Sequence, residues 1–206
     1  MLRRSASPES SPAVPSNPFS TRFIRPGALD FLFPPGQTTA TLVENLREHG
    51  WQGQILGPHG SGKSTLVAAL LPALEAAGRK VRRQGPRARG QGADELSATS
   101  LDTDTQVVID GFEQLTWWSR RKLKQTCVSR GAGLLVTTHK DLGLPTLYRT
   151  EPSLELTRAI VARLLSPDDE TITADDIAQA FTAAGGNLRE TLFALFDVYQ
   201  QRRPGY

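Results

Sequence analysis

The sequence predicts an α/β fold: a three-layer parallel sheet core followed by a small, all-helical C-terminal part. Three observations predict it. Short apolar runs alternate with amphipathic stretches between Thr39 and Glu151, the pattern of strands joined by crossover helices. A strand, Gln52 to Leu56, passes straight into a glycine-rich loop and then into a helix with one apolar face. After Pro152 the alternation stops, and three amphipathic segments follow one another with no strand between them.

Each element has its own signal. Residues 1–18 are rich in Ser and Pro and read as a disordered tail, because they have little to bury. Residues 19–37 mix Phe19, Phe23, Phe31 and Phe33 with Pro26, Pro34 and Pro35, which predicts an irregular aromatic arm packed on the core. The α/β core spans 38–152 and the helical part 153–206. Within the core, Leu42, Val43 and Leu46 lie at helical spacing in Thr39 to His49, and Gly50 ends that helix. A second helix runs from Lys63 to about Ala77, with Leu66, Val67, Leu70 and Leu74 on one face and a kink predicted at Pro72. Lys80 to Arg83 is a short strand, and 84–104 a long polar loop. Gln106 to Ile109 is a buried strand ending at Asp110. Leu115 to Ser129 is a helix, Ala132 to Thr137 a strand, and Tyr148 to Glu151 the last strand. The C-terminal helices are Leu154 to Leu165, Thr173 to Ala184 and Leu188 to Gln201.

Composition narrows the function classes. The 206 residues are 38% apolar, enough for one domain with a core of its own. The 24 Lys and Arg nearly balance 21 Asp and Glu, so whole-molecule charge does not argue for nucleic acid. The run Arg79, Lys80, Arg82, Arg83, Arg87 and Arg89 contains no acid, and a nucleic-acid backbone is one partner for it. The favoured reading is a solvated loop balanced by the acids after Asp94. Cys127 is the sole cysteine, so no intrachain disulfide forms, in keeping with a reducing compartment. Arg3 and Arg4 have no apolar run behind them, and no stretch approaches the ~20 apolar residues of a membrane span. A soluble cytoplasmic protein is expected. Trp117 and Trp118 are neighbours on a helix and do not share a face, so both are expected against the core, one at its margin and available to a partner.

The loop Gly57-Pro58-His59-Gly60-Ser61-Gly62-Lys63-Ser64 meets the spacing G-x-x-x-x-G-K-S. Glycines let backbone N–H groups approach phosphate oxygens, and the helix that starts there turns its positive end toward the same anion. In such a loop Lys63 reaches the terminal phosphates, the Ser64 hydroxyl ligates Mg²⁺, and Thr65 serves the α-phosphate. A second hard oxygen ligand for Mg²⁺ is Asp110, at the carboxyl end of an apolar strand, where open α/β sheets build their sites. The position after it is Gly111, so the nearest candidate general base is Glu113. The strand ending at Thr137-Thr138 places a hydroxyl toward the γ-phosphate, with His139 behind. The ligands predicted are ATP and Mg²⁺.

These residues resemble the additional-strand class of P-loop NTPases and, within it, the AAA+ ATPases. Gly57 to Thr65 resembles Walker A, Val107 to Asp110 resembles Walker B, and Thr137-Thr138 matches the place of sensor 1. The segment Gly185-Gly186-Asn187-Leu188-Arg189-Glu190 resembles an AAA+ lid with its sensor 2 arginine at Arg189. The resemblance covers about residues 38–203 and implies that Arg189 reaches the γ-phosphate and couples lid angle to nucleotide. It departs from the family at Gly111, which stands where the Walker B glutamate belongs. Three functions remain open: an ATPase or nucleotide switch read by a protein partner, a small-molecule or nucleoside kinase, and a non-hydrolysing scaffold module.

Overall fold

The computed structural model describes residues 17–84 and 101–203. The expected tail up to residue 16, the middle of the polar loop with Arg87 and Arg89, and residues 204–206 lie outside them.

In chain order the elements are α1 (Thr21–Ile24), α2 (Thr39–Glu48), β1 (Gln52–Leu56), α3 (Lys63–Ala76), β2 (Lys80–Gln84), β3 (Thr105–Ile109), α4 (Trp117–Arg130), β4 (Gly133–Thr138), β5 (Thr146–Arg149), α5 (Leu154–Leu164), α6 (Ala174–Ala183) and α7 (Leu188–Arg202). A 3₁₀ turn, Phe112–Gln114, sits between β3 and α4. The five strands form one sheet in the order β2-β3-β4-β1-β5, and every pairing is parallel. β4 is thus inserted between β1, which enters the glycine-rich loop, and β3, which ends at Asp110.

Period two explains the layers. Val107 and Ile109 of β3, with Leu134 and Val136 of β4, face one side, where Phe112 and Leu123 and Cys127 of α4 cover them. Val108 and Leu135 face the other, against Leu42 and Leu46 of α2 and Leu66 and Leu70 of α3. Every residue of β3 and β4 is buried, as a parallel strand covered on both faces must be. Gln54 of β1 is also buried; its amide donates to Asp141 Oδ1 (2.7 Å) and the Leu144 carbonyl (2.7 Å), and its Oε1 accepts from Leu142 N–H (3.0 Å). α3 runs through Pro72, which lies on its exposed side.

A separate core joins α5, α6 and α7 through Ile160, Ile177, Leu192 and Leu195. Phe19 is fully buried in that core and meets Tyr199 edge-to-face with ring centroids 5.9 Å apart. Asn17, inside the stretch read as tail, is buried, and its amide donates to the Phe196 carbonyl at 2.9 Å. The far end of the same arm packs on the sheet: Phe31 and Phe33 stack edge-to-face on Tyr148 of β5.

Two expectations are corrected. Trp117 and Trp118 both lie outside the core, 55% and 74% exposed, stacked edge-to-face on each other. The buried stripe of α4 is set by Leu123 and Cys127, and neither tryptophan lies three or four residues from that stripe's line. Within the basic run, Arg79 departs from the solvated reading: it is buried, donates to the carbonyls of Thr103 and Thr105 (2.6 Å each) and lies over the Trp51 ring. Lys80, Arg82 and Arg83 are exposed, and Lys80 pairs at 2.9 Å with Asp102, one of the acids after Asp94. No helix among the described residues is long and apolar enough to cross a membrane.

Candidate functional site

The site forms where β1 hands over to α3. Gly62 caps α3 in the left-handed conformation (φ +90°), which a side chain would strain. With no side chain to cap the first turn, the backbone N–H groups of a 14-residue helix are left for a ligand. The loop is braced from β5's end: the Ser61 hydroxyl donates to the Pro58 carbonyl (2.8 Å) and lies 2.6 Å from the Thr150 hydroxyl.

Lys63 is buried, and its Nζ donates to the carbonyls of Gly57 (2.7 Å) and Pro58 (2.6 Å). Burial lowers its pKa; Glu113 and Asp110 act in the opposite sense, and Arg189 lowers it further. Asp110, at the end of β3, is buried, and its Oδ1 accepts from the Thr137 hydroxyl at 2.7 Å. The same hydroxyl accepts from the Gly111 N–H at 2.8 Å. Gly111 takes φ +84° and turns the chain at once, with Phe112 as a buried anchor. That turn carries Glu113 back toward the loop, where its Oε1 comes within 2.7 Å of His139 Nε2. His139 Nδ1 lies 3.2 Å from the Gly57 carbonyl and 3.5 Å from Lys63 Nζ, and its ring packs 3.6 Å from that of His59. The pKa of His59 is lowered, first by desolvation and then by His139 and Lys63.

These groups surround a cavity of about 430 Å³. It gathers His59, Gly60, Ser61, Gly62, Lys63, Ser64, Thr65, Asp110, Glu113, Thr137 and Arg189. Gly57 and Pro58 stand behind, their carbonyls turned to Lys63. Thr138 is not brought in: it is buried, its hydroxyl donates to the Lys140 carbonyl at 2.9 Å, and it lines no part of the cavity. Thr137 lines it, but with its hydroxyl committed to Asp110 and Gly111. Sequence reasoning missed the apolar wall, built by Ile24, Pro26 and Leu29 of the arm and Leu188, Leu192 and Phe193 of α7. The aromatic and apolar content of the arm was a signal that it is buried, not of what it lines.

α7 is tied to the loop by its first turn. The Arg189 N–H donates to the Gly60 carbonyl at 3.3 Å, and Asn187 caps the helix by accepting from the Glu190 N–H at 3.2 Å. Gly60 has φ +68°, and a Cβ there would collide with the Asn187 side chain. For a metal, Ser64 and Asp110 both line the cavity and carry hard oxygens of the kind that suits Mg²⁺, with Asp110 also accepting from Thr137 and standing 3.7 Å from Arg83. No group of three or more His, Cys, Asp or Glu forms a metal cage among the described residues.

The arrangement defines the class of fold: a three-layer, all-parallel P-loop core of five strands with a small C-terminal helical part. No protein-family model matches the chain, and no curated protein matches it. Among solved structures, PCH-2 of C. elegans is similar at 13% sequence identity, covering 79% of this chain and 67% of that one, with a TM-score of 0.40.

Proposed function

We propose that this chain binds ATP with Mg²⁺ and works as an ATPase or ATP-driven switch of the AAA+-like type. One observation carries the reading: Lys63, Asp110, Glu113 and Arg189, from four separate elements, meet around one cavity at the uncapped N-terminus of α3. Backbone N–H groups and the helix end cradle the polyphosphate, and Lys63 exchanges two carbonyl partners for phosphate oxygens. Ser64 and Asp110 hold Mg²⁺, which neutralises charge on the phosphates. Glu113 orients a water molecule and takes its proton as the oxygen attacks the γ-phosphorus and the bond to the β-phosphate oxygen breaks. The base rests in the apolar wall made by the arm and α7. Arg189 senses the γ-phosphate, and the helical part transmits the change to a protein partner.

Radiolabelled ATP and Mg²⁺ test this. Release of labelled phosphate supports hydrolysis, transfer of label to an added metabolite pool supports the kinase reading, and binding without turnover supports a scaffold. Lys63→Ala should lose ATP binding by at least about tenfold, the loss of roughly one charged hydrogen bond. Unchanged affinity in that variant would refute the loop assignment.

A further inference from the structure

Resting on the ATPase reading above, we propose that His139 is a positioning residue for Glu113, fixing the water-activating carboxylate to the phosphate loop. The need arises from Gly111. The residue directly after Asp110 has no side chain, so the site takes its carboxylate from two residues further on, across a left-handed turn and a three-residue 3₁₀ turn. A glutamate on so short a turn requires a fixed partner to hold one orientation. Phe112, fully buried, anchors the backbone beneath it.

His139 supplies that partner from another element. It follows the last residue of β4, and its Nε2 lies 2.7 Å from Glu113 Oε1. Its ring is held on two further sides: Nδ1 stands 3.2 Å from the Gly57 carbonyl, and the His59 ring packs against it at 3.6 Å. One imidazole therefore bridges the first residue of the phosphate loop and the candidate base. The contact with Glu113 is close but out of hydrogen-bond alignment. Glu113 Oε2 and His139 Nε2 are both buried atoms with no hydrogen-bond partner among the described residues. Both residues line the cavity, and with Oε1 held beside the imidazole, Glu113 Oε2 is the buried, unpartnered oxygen left for an attacking water. The Gly57 carbonyl receives Lys63 as well as facing His139. When Lys63 turns to a phosphate, the histidine remains as the link between loop and base.

The experiment is a double-mutant cycle on the full chain: wild type, His139→Ala, Glu113→Gln and the pair, each read for kcat and for the Kd of ATP with Mg²⁺. His139→Ala is expected to lower kcat by about 100-fold, the cost of a base displaced by an ångström or so. The Kd should stay within about threefold, because the loop amides and Lys63 are untouched. The double variant should be no slower than Glu113→Gln alone, since both losses act on one function. Added imidazole should restore part of the rate to His139→Ala and none to Glu113→Gln. If His139→Ala does not fold, His139→Leu keeps the volume, removes both ring nitrogens and is read by the same criteria. Full turnover in the folded His139 variant, losses that multiply in the pair, or a Kd that rises in step with the fall in kcat would each overturn the proposal while leaving the ATPase reading intact. Wild type that binds ATP without releasing phosphate, or Glu113→Gln at full rate, would instead bring down the hydrolysis reading and the positioning role with it.

Discussion

Thr137→Val is the most informative single change, because one buried hydroxyl serves two partners. The Thr137 side chain donates to Asp110 Oδ1 at 2.7 Å and accepts from the Gly111 N–H at 2.8 Å. Valine matches threonine in shape, so the substitution creates no cavity and isolates the hydrogen bonds. Loss of a bond to a carboxylate costs about 1.5–3 kcal/mol, and an unpaired, part-buried N–H adds about 1 kcal/mol. The sum is about 3 kcal/mol, on the order of a 100-fold shift in the folding equilibrium. Urea unfolding of wild type, Thr137→Val and Thr137→Ser measures it; serine keeps the hydroxyl and should lose only about 1 kcal/mol for the methyl. ATP affinity with Mg²⁺ should fall in the valine variant, since the Asp110 carboxylate is no longer held in its orientation. A valine variant as stable as the serine variant would refute the view that this hydroxyl organises the end of β3.

Three further outcomes follow from the same structure. Cys127 is fully buried, and desolvation pushes its thiol up to about 11, so a thiol reagent at pH 8 should label it only after unfolding; rapid labelling of the native protein would contradict its placement. Asp176 is held well below the usual carboxylate range, first by hydrogen bonds from Arg202 and then by the Thr173 backbone. A depressed acid pKa gives stability that is present above the unfolded value near 3.8 and is lost as pH falls through the folded one, so wild type should lose stability below pH 4 more steeply than Asp176→Asn in acid titrations followed by circular dichroism. Trp118→Ala should shift stability by no more than about 0.5 kcal/mol in the same urea assay, because the ring is 74% exposed; a larger loss would return that residue to the core.

How much of this was legible depends on which physical signal each residue carries. β3 and β4 read clearly because central parallel strands are buried on both faces and carry apolar runs, Val107 to Ile109 and Leu134 to Val136, whereas β1, with Gln52 and Gln54, was legible through the strand-loop-helix spacing that placed Lys63 and Ser64 after it. Glu113 was legible only as a nearby acid; its return to the cavity depends on the left-handed turn at Gly111, which a glycine permits but does not dictate. Thr137 and Thr138 are identical in type, and only the strand's parity decides that one faces Asp110 and the other Lys140. Trp117 and Trp118 misled because hydrophobicity alone says nothing about where the buried stripe of α4 runs. The bracing of Ser61 by Thr150 joins positions 89 residues apart, and no local pattern announces it.

The route by which the site would move the helical part follows from what is tied to what. α7 touches the loop at its first turn, through the Arg189 N–H and the Gly60 carbonyl, and presents the Arg189 side chain to the same cavity. Further along, the same helix is held to the arm by Asn17 on the Phe196 carbonyl and by Phe19 against Tyr199. The arm continues to the sheet, where Phe31 and Phe33 stack on Tyr148. On the proposed ATP-binding reading, a polyphosphate that attracted Arg189 would pull on the first turn of a helix tied to the arm further along by the Asn17–Phe196 hydrogen bond and the Phe19–Tyr199 ring contact.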